Sequence, residues 1–108
     1  MSGRFLSRQV FNTRLTNITS ATSNTKLLDI DNTRVYASIF NDSTAIMTLL
    51  LSGVDKDGNS EGSAKLTAGR KTVLVAAGGY FETPVDFCGE VWAKWASANG
   101  NAEITEYR

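Results

Sequence analysis

The chain has 108 residues, of which 42% are hydrophobic and 20% charged, and its 11 basic residues are balanced by 11 acidic ones. That length supports one domain, burying roughly two-thirds of its unfolded surface around a single modest core. A neutral chain lacks the electrostatic footprint expected for nucleic acid or an anionic membrane, and copies of it repel one another little.

The N-terminal segment differs from the rest. Met1 to Arg14 holds three arginines, Arg4, Arg8 and Arg14, and no acidic residue. Its apolar residues Phe5, Leu6, Val10 and Phe11 follow neither helical nor strand spacing. Such a segment reads as an arm over residues 1–11 that orders on contact with a neighbour. A frayed terminus or a first edge strand is the alternative.

From Asn12 the punctuation is that of β-structure. Residues 12–21 are rich in Thr, Asn and Ser, with Leu15 and Ile18 as the large apolar residues. Thr25 to Ile30 reads as a short strand. Thr33 to Phe40 is a clear one, β-branched and aromatic. Asn41-Asp42-Ser43 reads as a turn. Thr44 to Ser52 is the next strand, with Ile46 and Leu50 on one face and Met47, Leu49 and Leu51 on the other. A strand apolar on both faces is expected inside a sandwich or at a subunit contact.

Gly53 to Gly62 is a polar loop. Ser63 to Leu66 reads as a short strand, Thr67 to Arg70 as a turn, and Lys71 to Ala77 as another strand. Gly78 to Pro84 reads as a connection. Phe87 to Ser97 is a long strand. Asn99-Gly100 then signals a two-residue hairpin turn, because both central residues of a type I′ turn need positive φ. Ala102 to Tyr107 returns. Seven or eight short strands with turns every 8–12 residues point to an all-β, single antiparallel sandwich over residues 12–108, jelly-roll-like in character.

Catalytic chemistry has little to work with. There is no histidine, so the commonest general base is absent. Cys88 is the only cysteine, which rules out an intrachain disulfide; set in an apolar strand, it reads as a buried, inert thiol. Asp55-Lys56-Asp57-Gly58-Asn59 opens like a calcium loop. Position six is Ser60 and position twelve Leu66, where such a loop has Gly and Glu, so a surface turn is expected. Asp29 and Asp31 read as a solvated strand end. Gly78-Gly79 lacks the Lys-Ser/Thr and helix of a phosphate loop and suits a sharp bend. The acids of a two-carboxylate glycosidase can come from anywhere in a chain, but the short loops argue against any enzyme. Neither a metal nor another cofactor is expected.

Trp92 and Trp95 are three apart, so on a strand they face opposite sides, one in the core and the other at a rim or interface. Tyr36 and Phe40 share a face and read as core. The N-terminus lacks the apolar stretch of a signal peptide, which makes Asn17 and Asn41 coincidental glycosylation sequons and cytosolic synthesis the default. The run Ile46 to Leu51 is broken by Thr48 and too short to cross a bilayer, so no membrane span is expected.

From about Leu27 to Tyr107 the chain resembles small β-sandwich virion proteins of tailed bacteriophages. The likeness rests on Asn32 to Ser43 followed by an apolar strand, on Leu66-Thr67-Ala68-Gly69, on Phe87 to Ala93, and on Asn99-Gly100-Asn101 before Ile104 to Tyr107. These proteins coat or cement capsids, or form connector and tail parts, usually as oligomers. The resemblance implies a capsid decoration or cement protein in the virion, made in the host cytoplasm. Its expected partners are the major capsid protein or another virion protein, and copies of itself, a trimer being what the resemblance implies. A head–tail connector or tail component is the alternative. A carbohydrate-binding sandwich is a third reading, and it requires tryptophans exposed beside polar loops. The expected interface comprises Arg4, Phe5, Leu6, Arg8, Val10 and Phe11 of the arm, one face of the strand carrying Met47, Leu49 and Leu51, and one of Trp92 or Trp95.

Overall fold

The computed structural model of this chain describes residues 12–108. The expected arm, with Arg4, Phe5, Leu6, Arg8, Val10 and Phe11, lies outside the described residues. Two four-stranded antiparallel sheets form the fold. The first runs β1 (Thr13–Thr19), β8 (Asn101–Tyr107), β3 (Tyr36–Asp42), β6 (Tyr80–Glu82). The second runs β2 (Thr25–Leu28), β7 (Glu90–Trp95), β4 (Met47–Ser52), β5 (Val73–Val75). This order is that of a jelly roll. A one-turn-and-a-half helix, α1 (Gly62–Thr67), lies between β4 and β5.

Residues 20–24, 43–46, 76–79 and 96–100 each carry the chain from one sheet to the strand at the same position in the other. β1 therefore stacks over β2, β8 over β7, β3 over β4 and β6 over β5. Because successive strands alternate in direction, all four links fall at one end of the sandwich.

That topology corrects the expected closing hairpin. β7 and β8 do not pair; β7 pairs with β2 and β4, and β8 with β1 and β3. A five-residue link is long enough to cross the roughly 10 Å between packed sheets, which a two-residue turn is not. Gly100 is not among the positive-φ glycines. It is required for close approach instead. A Cβ there would overlap the Asp42 carbonyl oxygen and lie 2.6 Å from Ser43 Cα.

Other boundaries also moved. Ser63 to Leu66, expected as a strand, belongs to α1. Ala64, Lys65 and Leu66 are good helix formers, and the turn swings Leu66 onto the sheet, leaving it 1% exposed. Gly78 to Pro84 contains β6. β3 starts at Tyr36 and includes Asn41 and Asp42, so the bend falls after Asp42. Alternation along β3 sends Ala37, Ile39 and Asn41 inward. Tyr36 and Phe40, expected in the core, therefore stand on the outer face.

The core is built from Ala37, Ile39, Ala102 and Ile104 of the first sheet against Met47, Leu49, Val75, Val91, Ala93 and Trp95 of the second, closed by Leu27 and Leu28. Met47 and Leu49 are fully buried, and Leu51 is partly buried against them. These residues, expected at a subunit contact, face the chain's own interior. The opposite face of β4 does not need a partner to cover Leu50 either, because Leu50 is buried in the chain itself, on the side that α1 packs against.

At each end of the sandwich a large buried polar side chain makes several bonds across the links or loops. At the link end, Asn41 Nδ2 donates to the carbonyls of Ala45, Val75 and Ala76 at 2.8, 3.0 and 3.1 Å. Its Oδ1 accepts from Ser43 Oγ at 2.7 Å and Trp95 Nε1 at 3.0 Å. At the other end, Arg34 is buried with its side chain 0% exposed. Its guanidinium donates to Glu106 Oε1 at 3.2 Å, to the Phe87 and Gly89 carbonyls at 3.2 and 3.1 Å, and to the Asp29 carbonyl. Glu106, itself buried, also accepts from Arg14 Nε at 2.7 Å. One side chain thus ties the β2–β3 and β6–β7 loops to β8.

Removing Arg34 would leave Glu106 buried with only the half-exposed Arg14 as partner. Breaking a buried ion pair from one side costs about 3–5 kcal/mol. Arg34→Met should lower the urea midpoint accordingly, and Arg34→Lys should rescue little of it, because an ammonium cannot reach four acceptors spread around a planar fork. Gly100→Val should also destabilise, through collision with the Asp42 backbone. A thermal melt matching wild type would overturn that reading of Gly100.

Candidate interaction surfaces

The two outer faces are the large surfaces this fold presents, and strand pairing fixes their content. On the first sheet, Leu15, Thr105 and Ser38 lie in register with Glu82; Asn17, Glu103, Phe40 and Tyr80 form the next row. Tyr36 and Tyr107 stack with ring centroids 4.4 Å apart. Leu15, Phe40 and Tyr80 are exposed at 75%, 40% and 68%. The outward positions of the four strands carry three acids, Asp42, Glu82 and Glu103, and no base.

The outer face of the second sheet has the opposite sign. Lys94, Thr48 and Leu74 lie in register across β7, β4 and β5. A groove of about 290 Å³ runs between them and Leu66, Gly69, Arg70 and Lys71. Lys65 of α1 lines the adjoining depression with Glu61. Among the described residues Arg14, Lys26, Arg34, Lys56 and Arg108 are in ion pairs. Lys65, Arg70, Lys71 and Lys94 are in none, and all four stand on this side. The zero net charge conceals two faces of opposite sign.

Trp95 is 2% exposed and belongs to the core. Trp92 is the outward tryptophan, but it is half-buried. Its Nε1 donates to Glu90 Oε1 at 3.0 Å, Lys26 Nζ lies 5.7 Å from its ring centroid, and α1 packs on it so tightly at Gly62 that a Cβ would overlap the ring. Neither ring is the open platform that the carbohydrate-binding reading requires.

The Asp55 loop is a self-bonded turn. Asp55 Oδ1 accepts the backbone N–H groups of Asp57 at 2.8 Å and Asn59 at 2.9 Å, and Gly58 takes φ +83. Among the described residues no three His, Cys, Asp or Glu side chains are grouped to hold a metal ion. Cys88 lies just before β7, not in a strand, and is half-buried. Its thiol points at the carbonyls of Asp86 at 3.4 Å and Arg34 at 3.5 Å. Gly78 takes φ +76 in the bend into β6. Asn41 is wholly buried and so offers no glycan acceptor.

Sequence reasoning missed Arg34, Glu106 and Asn41. Arg34 and Glu106 take no role there and Asn41 reads as part of a turn; for Glu106 and Asn41 the one available signal was a polar residue at an inward position of an alternating strand.

No protein family and no curated protein matches this chain. Among solved structures it is similar to one described as "Bacillus endospore appendages form a novel family of disulfide-linked pili", with a TM-score of 0.52 and 14% identity over 91% of this chain and 86% of that one. At that identity the likeness establishes a shared small β-sandwich fold.

Two carboxylates beside the loops should make the fold acid-sensitive. Burial pushes Glu90 up, but hydrogen bonds from Ser60, Trp92 and Lys26 outweigh it and hold the carboxyl below its ordinary value. The Thr33 hydroxyl and backbone N–H, helped by Arg108, hold Asp31 low. Groups with depressed folded pKa values bind fewer protons folded than unfolded. Their stabilisation is present above the ordinary carboxylate range and is lost as pH falls through it towards the folded values. Thermal melts should therefore drop between about pH 5 and 3, and Glu90→Gln should flatten that slope. An unchanged slope would assign the acid sensitivity elsewhere.

Proposed function

We propose that this chain is a non-enzymatic structural subunit that works as one of many copies in a larger assembly. The observation that carries the reading is that Leu15, Phe40 and Tyr80, in two neighbouring rows, are all exposed on the outer face of the first sheet. Large apolar residues gathered on one face of a small domain mark a surface that is covered in use. The mechanism is burial: each contact adds apolar area removed from water, at roughly 25 cal/mol per Å² before the costs of association.

The specific setting we propose is a phage particle, with the chain as a capsid decoration or cement protein bridging capsid subunits against the outward push of packaged DNA. Its resemblance to small β-sandwich virion proteins supports this setting. The arm over residues 1–11 would add its aromatic and arginine side chains to that contact. A fibre-forming subunit is the second reading, favoured by the fold shared with the endospore pilus protein and by the difference between the two outer faces. A lone Cys88 can link copies only in pairs, so extended assembly of this chain rests on non-covalent contact.

Light scattering of the intact protein across a concentration series tests the reading. We expect a mass above that of one 11.7 kDa chain, rising with concentration. A single-chain mass at every concentration, together with no attachment to particles of the source phage or bacterium, would overturn it.

A further inference from the structure

We propose that the acidic–aromatic outer face of the first sheet docks on the basic outer face of the second sheet of another copy, joining copies head to tail into an open stack. The inference rests on the reading of this chain as a self-associating subunit and specifies its contact.

Three observations converge. The faces are opposite in charge. Glu82, Glu103 and Asp42 stand with no base on one, while Lys94, Arg70, Lys71 and Lys65 stand outside any ion pair on the other. Complementary potentials set partner and register.

The residue rows also match. Across β8, β3 and β6 the order is Glu103, Phe40, Tyr80; across β7, β4 and β5 it is Lys94, Thr48, Leu74. Each row spans roughly 10 Å, with charge at one end and an exposed large apolar residue at the other. Both sheets list their strands in the same spatial order, β8 over β7, β3 over β4 and β6 over β5. Shifting a copy along the sheet normal therefore sets Glu103 over Lys94, Phe40 over Thr48 and Tyr80 over Leu74 without turning it round.

The heights agree as well. Asn41, next to Phe40, bonds Trp95 and Val75, which neighbour Lys94 and Leu74. The two rows thus lie at the same level of the sandwich.

Such a contact is heterologous. It uses two different patches and leaves one free at each end, so it propagates instead of closing as a two-fold dimer does. Aligned sheets in a sandwich differ in direction by about 30°. Successive copies would rotate to superimpose their strands, giving a helical stack.

Charge exchange tests this. Glu103→Lys and Lys94→Glu are made separately, with thermal melts confirming that each folds. Lys71→Glu replaces Lys94→Glu if the lost contact to Leu66 disturbs α1. We expect each variant alone to associate at least tenfold more weakly than wild type by sedimentation velocity. An equimolar mixture should recover wild-type association, because each lysine then meets a glutamate across every contact. Wild-type association that neither variant weakens would overturn the face-to-face contact and leave self-association standing. Loss with Glu103→Lys alone would point to first-sheet faces meeting in pairs and would also overturn it. Failure of the mixture to recover association has the same consequence. A wild-type protein that stays single at all concentrations overturns both this inference and the reading beneath it. So does saturable binding of an oligonucleotide to the basic face with no self-association.

Discussion

The Arg34 guanidinium holds together the end of the sandwich that has no short links. The β2–β3 and β6–β7 connections there are seven residues each by the strand boundaries, residues 29–35 and 83–89, and no regular pairing orders them. A buried cation is costly unless every donor is met. In this fold the loop carbonyls of Asp29, Phe87 and Gly89 are the acceptors that make the burial tolerable. The charge needs the loops in place, and its bonds add to the backbone bonds from Asp31 N–H to the Cys88 carbonyl and from Asp86 N–H to the Val35 carbonyl that join the two loops. Glu106 joins the cluster to β8, and Arg14 extends it to β1, which ties the first and last strands to the same centre.

Asn41 does the corresponding work at the link end with a neutral group. Its amide meets three carbonyls across two links, and its oxygen takes the Trp95 indole. Asn41 at one end and Arg34 at the other, each making several hydrogen bonds, give the apolar core a defined pair of boundaries. That leaves the outer face of the first sheet, and the part of the second that α1 does not cover, available for contact chemistry. The outward strand positions of the first sheet carry acids and no base, and the bases outside ion pairs gather on the second-sheet side beside Glu61.

Strand alternation carried much of the fold in the sequence. The β-branched and aromatic runs located β2, β3, β4 and β7, and the density of turns gave a sandwich of the right strand number. Local signals failed where a residue had two uses. Asn99-Gly100 has the composition of a hairpin turn, yet the glycine is there for the approach of the Asp42 backbone. Ser63 to Leu66 has no helical period because the helix is under two turns long. Asn41 read as a turn former because its local partners are Ser43 and Ala45, while the others, residues 75, 76 and 95, lie in no local window. Tyr36 and Phe40 read as core because hydrophobicity alone does not say which side of a strand faces in. Met47 and Leu49 read as contact residues for the same reason, and which of Trp92 and Trp95 is buried stayed open.

The sequence by itself determined an all-β chain of about eight strands, an uncharged total and a lack of histidine chemistry, because composition and period-two alternation are local properties. Which strands pair, which tryptophan is buried and how the charges divide between two faces were decided by the tertiary structure. Each depends on the stacking order of two sheets, and that order brings together residues as distant in the chain as Leu15 and Thr105, or Thr48 and Lys94. A sum of charges has no direction; only when the strands are laid in order does the zero become a positive face and a negative one.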